Sequence, residues 1–113
     1  VLSRYVRGRA LVLAGRLGPA REAALEFERR AGEDAFRLRY AADLWNELVL
    51  ALRRAGAGPD AEREATGRMY RLLGRAVDAG YADREELTTT PSLSTFRDDR
   101  EYRALLERLP RGA

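Results

Sequence analysis

The 113-residue chain contains no cysteine, no histidine, no lysine and no isoleucine. Each absence removes a class of chemistry or structure. Without cysteine there are no disulfides, no thiolate nucleophile and no zinc–thiolate site. Without histidine there is no ordinary proton shuttle near neutral pH, and without lysine no Schiff base and no phosphate-loop lysine. Carboxylates, hydroxyls and arginines remain, so we expect no independent catalysis and no cofactor. Strand signals are nearly missing too, with no alternating β-branched run and no Asn-Gly or Asp-Gly hairpin. No apolar run approaches the ~20 residues that cross a bilayer. The most apolar stretch, Ala10 to Ala14, is too short for the core of a secretory signal. The expectation is a cytoplasmic protein without a membrane partner or small-molecule substrate. Opening on Val-Leu-Ser with no initiator methionine, the chain reads as a fragment or processed product.

What is present fits one globular domain: 45% hydrophobic and 35% charged residues. All 21 basic residues are arginine, and the net charge is only +3. The arginines are uneven in sequence. Residues 1 to 21 carry Arg4, Arg7, Arg9, Arg16 and Arg21 and no acid. Arg4, Arg7, Arg9 and Arg16 are thus an alternative anion-binding set. Arg4 and Arg7 are adjacent on an outward helical face, with Arg9 and Arg16 nearly a half-turn away. No aromatic platform accompanies them, so nucleic acid is not the expected partner.

Helical periodicity runs through the chain. Leu2, Val6, Leu13 and Leu17 share one face, with Tyr5 beside it, predicting a helix over 2–16. Gly15 and Gly18 mark a turn, and Pro19 opens a second helix over 19–31. The longest helix spans 34–55 with Ala41, Leu44, Trp45, Leu48, Val49 and Leu52 toward a core. "GAGP" breaks it, and a fourth helix covers 59–79 with Met69, Leu72, Leu73, Ala76 and Val77 inward. Gly67 and Gly74 weaken that helix and point to close packing.

The remainder is punctuated. Asp83 with Glu86, Thr90 before Pro91, and Asp98 with Glu101 read as three N-caps, predicting short helices over 83–88, 91–96 and 99–109. Their apolar residues are too few for a separate core and suit a cover over the preceding helix pair. The fold class is all-α, built of antiparallel helix pairs. Its units are a degenerate repeat at 1–33, a second at 34–80 with a long inter-helix connection, and C-terminal capping helices at 81–109.

Trp45-x2-Leu48-Val49-x2-Leu52 and Met69-x3-Leu73-x2-Ala76 resemble the two helices of a tetratricopeptide repeat. The segment "RLLGRAVDAGYADREELTTTPSLSTFRDDREYRALL" is similar to the end of tetratricopeptide arrays in bacterial, planctomycete-type serine/threonine protein kinases. Ala76, Val77, Ala79, Gly80, Tyr81, Asp83, Leu87, Pro91, Leu93, Arg97, Tyr102, Leu105 and Leu106 carry the match in order. That resemblance implies an α-solenoid end and a non-catalytic scaffold or protein-interaction arm of a larger signalling protein. Kinase signatures are absent from these residues. It also implies a protein or peptide partner, or adjacent repeats of the parent chain. Arg39, Asp43 and Asn46, spaced four and three apart off the apolar stripe, are the candidate partner contacts. No metal ligand set is expected, and "TTT" at 88–90 reads as capping rather than as phosphate acceptors.

Overall fold

Alternating apolar stripes and glycine–proline breaks have one outcome in the computed structural model. It describes residues 2–110, with the side chains of Leu2, Pro91 and Ser92 outside the description, and all its regular elements are helical. In order they are α1 (Leu2–Leu13), α2 (Leu17–Ala31), α3 (Ala35–Ala55), α4 (Pro59–Asp78), α5 (Arg84–Thr89), a 3₁₀ helix (Pro91–Phe96) and α6 (Arg100–Arg108).

Helix α1 ends three residues before the expected position. Gly15 takes φ +74°, its N–H bonds to the Val12 carbonyl, and the Arg16 N–H reaches Leu11. This left-handed closure needs a residue without Cβ. Helix α2 consequently begins at Leu17, and Pro19 falls within its first turn rather than opening it, where its missing N–H costs nothing. Asp83 caps α5 as expected, accepting from Glu86 N at 2.9 Å, and Asp34, expected as the first residue of α3, caps it instead, accepting from Arg37 N at 2.9 Å.

Two expected caps are not formed. Thr90 does not cap the 3₁₀ helix; its hydroxyl donates back to the Glu86 carbonyl at 2.6 Å and closes α5. Thr88 and Thr89 bond back into the same helix, so all three threonines terminate α5. The residue at the head of α6 is Asp99 rather than Asp98, and its carboxylate accepts from Tyr70 on α4 at 2.7 Å instead of capping.

Cross-contacts give the topology. Arg4 meets Glu26, Tyr5 meets Phe27, and the Gly8 backbone lies by Ala23, so α1 and α2 run antiparallel. Arg53 with Glu62 and Trp45 with Arg68 make α3 and α4 a second hairpin. Arg84 with Leu106 and Leu87 with Tyr102 make a third, α5 and the 3₁₀ helix against α6.

The hairpins stack in register. Tyr5 bonds Asp43, Arg21 bonds Glu64, Glu28 bonds Arg68 and Gly32 bonds Arg75, all at separations of 38 to 43 residues. Helix α1 therefore lies parallel to α3, and α2 parallel to α4. The third step follows the same rule: Arg39 to Glu86 and Arg53 to Thr95 lay α5 and the 3₁₀ helix beside α3, while Tyr70 to Asp99 and Asp78 to Arg108 lay α6 beside α4. The C-terminal helices are thus a shortened third hairpin as well as a cover. One layer holds α1, α3 and α5, the other α2, α4 and α6.

The core lies between the layers, with Leu38, Leu44, Trp45, Leu48, Leu72 and Phe96 essentially sealed. Its boundary differs from expectation at α1. Val6 and Leu13 are 62% and 67% exposed, whereas Tyr5, Gly8 and Val12 face inward. The close backbone approach is also at Gly8, where an added Cβ would sit 2.8 Å from Leu44 Cδ2. Gly67 has open space around it and Gly74 only the end of Arg108, so neither marks tight packing. We expect Gly67→Ala to raise stability by about 1 kcal/mol through helix propensity, and Gly8→Val to lower it by about 1–3 kcal/mol through overpacking. Urea denaturation of the two variants checks both signs.

Candidate functional site

Arg39 projects toward α5, is only 8% exposed, and donates through Nε to Glu86 Oε1 at 3.1 Å. Its Nη1 lies 3.9 Å from Asp43 Oδ1 one turn later. Asp43 also accepts the Tyr5 hydroxyl from α1, and Glu86 accepts the Tyr81 hydroxyl at 2.7 Å. A continuous polar relay, Tyr5–Asp43–Arg39–Glu86–Tyr81, thereby crosses all three members of the first layer. Burying a guanidinium this far is costly unless geometrically defined acceptors pair it, and these supply the pairing.

This corrects the expectation for the candidate contact residues. Arg39, Asp43 and Asn46 do share a region off the Trp45 stripe, but Arg39 and Asp43 are engaged internally and Asn46 is fully enclosed. Helix α3 is covered by α1 and α2, by α4 and by the third hairpin, so Asn46 lies inside an interface, while Arg39 and Asp43, already paired, line a cleft beside α5.

The exposed surface of the same layer is carried by other residues. Phe36 is 74% exposed and Tyr40 38%. Together with Val6 and Leu13 they are the exposed large apolar side chains among the described residues, and all belong to α1 and α3. At 100° per residue, Val6 and Leu13 lie beyond Tyr5 on the side of α1 turned away from α2. Phe36 lies opposite the Trp45 and Leu48 face that meets α4. Both sets point away from the second layer. Around Phe36 and Tyr40, four members of the relay (Asp43, Arg39, Glu86 and Tyr81) line a cleft of about 270 Å³, together with Thr90.

The four N-terminal arginines divide differently from their helical spacing. Arg4, Arg7 and Arg16 line one cleft of about 410 Å³ between α1 and α2, over Leu11 and Phe27, but Glu22 and Glu26 line it too. Arg9 lies on the other side of the helix, where its charge acts on Glu47 and Tyr5. Among the described residues no group of acids suits a metal ion, and no helix is long and apolar enough to cross a membrane.

Burial raises the Tyr5 and Tyr81 hydroxyls well above the ordinary tyrosine value, reinforced by the bonds to Asp43 and Glu86. Burial likewise lifts the Glu47 carboxyl, with Asp43 adding to it. Phe36 and Tyr40 could have been found in the sequence, since both stand off the Trp45 stripe where an apolar side chain has no core to join. Comparison with family models, curated proteins and solved structures finds no match.

Two predictions follow from the relay's chemistry. The folded state favours neutral tyrosine, so this contribution is complete below a pH of about 10 and is lost as the pH rises further. The urea midpoint should fall above about pH 10, and less steeply in Tyr5→Phe/Tyr81→Phe than in the native chain. Arg39→Leu leaves two acids without their cation. Because Glu86 is half exposed, the cost should lie near or below the low end of the buried-pair range, about 2–3 kcal/mol, as read from thermal melts.

Proposed function

We propose that the chain is a non-catalytic protein-interaction module of tetratricopeptide-like form, which holds an extended segment of a partner along the outer face of α1, α3 and α5. The observation that carries this reading is the gathering of Val6, Leu13, Phe36 and Tyr40 on one layer of the stack. Exposed apolar side chains scatter singly on most surfaces; a set confined to one layer supports a contact surface there. The register of about forty residues between stacked hairpins supports the repeat reading, because each unit buries its face on the next. The likeness of residues 72–109 to the end of bacterial kinase arrays supports placement as the cytoplasmic arm of a larger signalling protein.

Residue chemistry supports the absence of catalysis, since no histidine, cysteine or lysine is present to act near neutral pH. A second reading has one observation in its favour, the convergence of Arg4, Arg7 and Arg16 on a single cleft. Two acids share that cleft, so anion binding there should be feeble and lost by physiological salt.

Peptides selected on the native chain from an unbiased display library test the interaction reading. They should bind Val6→Ser/Leu13→Ser/Phe36→Ser at least about tenfold more weakly, a loss of ~1.4 kcal/mol, with the melting temperature unchanged. Equal affinity for that variant would remove the first-layer face from consideration. Duplex DNA retained at about 0.15 M salt and released by Arg4→Gln/Arg7→Gln/Arg16→Gln would favour the second reading instead.

A further inference from the structure

Resting on that reading, we propose that the cleft between α3 and α5 is the specificity pocket of the module, and that it takes a cationic side chain, guanidinium or ammonium, from an extended partner. The pocket joins an exposed aromatic ring, Phe36, and a half-exposed one, Tyr40, to two carboxylates, Asp43 and Glu86. Among the described residues, Arg39 is the one cation that lines the cleft with them. Two acids against one base leave one negative charge locally, on a chain whose total is +3. The arginine is also committed: it is nearly sealed, with Nε on Glu86 and Nη1 toward Asp43. An incoming anion would meet two carboxylates and a guanidinium that is nearly sealed and already paired.

The acceptor side is different. Glu86 Oε1 takes both Arg39 and Tyr81, whereas Oε2 makes no bond to any described residue, and the side chain is 48% exposed. An exposed carboxylate oxygen beside aromatic faces matches a cation that stacks on a ring and donates to an acid at once. The cleft of about 270 Å³ has room for such a head group with its apolar stem laid along Phe36. Leucine-like neighbours in the partner would then fall on Val6 and Leu13.

Three short blocked peptides test this by calorimetry and amide chemical shifts at about 0.15 M salt: alternating leucine and arginine, leucine and glutamate, and leucine and serine. The arginine peptide should bind most tightly and shift the amides around Phe36, Tyr40 and Glu86. Phe36→Ala and Glu86→Gln should each weaken it by about three- to tenfold while leaving the serine peptide within about twofold. Phe36 is exposed, so Phe36→Ala keeps the fold and decides the matter if Glu86→Gln is destabilised. Preference for the glutamate or serine peptide on the same face would overturn the cation pocket and leave the interaction module standing. Absence of first-layer shifts with all three would overturn both. Arginine-peptide binding insensitive to both variants would overturn the pocket alone.

Discussion

Helix α3 is the member on which everything else rests. It runs from Ala35 to Ala55, and ten of its residues, from Leu38 to Ala51, are buried. An isolated amphipathic helix needs one covering partner; this one has coverings on several sides. That constraint explains its composition. One face must be fully apolar, hence Leu44, Trp45 and Leu48, while small residues at Ala41 and Ala42 let neighbours approach. Where a polar side chain falls on a covered face it must find partners inside, and Arg39 does so through Glu86 and Asp43. The relay from Tyr5 to Tyr81 is thus what burying a third face of α3 requires.

The same constraint shows why the fold class was legible and parts of the site were not. Helices α3 and α4 carry long stripes of 3.6 periodicity bounded by Gly56 and Pro59, and these signals are local, so their limits read within a residue or two. Helix α1 misleads. It has apolar residues on nearly every side, and its tightest contact is made by Gly8, which no hydrophobic pattern can register. Val6 and Leu13 therefore looked like core. Arg39 and Asn46 looked solvated because a single stripe implies a single partner, whereas the covering from the third hairpin arrives from some forty-seven residues downstream.

Capping chemistry shows a related limit. Asp34 and Asp83 have no competing donor and cap as their sequence suggests. Asp99 is claimed by the Tyr70 hydroxyl, and Thr90 can donate as readily as accept, so its hydroxyl turns back to the Glu86 carbonyl. Local sequence states which atoms can bond. The tertiary neighbour decides the direction.

Stacking only on sequence neighbours has a mechanical consequence. Substantial contacts join each hairpin to the next, and the first hairpin has none of that extent with α6, so the assembly is a short chain of plates with α3 and α4 as the middle plate. Strain entering at one edge can reach the other only through that plate. Agitation should peel the small third hairpin away while the Trp45 centre stays closed, since opening costs scale with what each plate buries. A tug on either end would bend the stack as it would a leaf spring, opening or narrowing the first-layer face without breaking a helix.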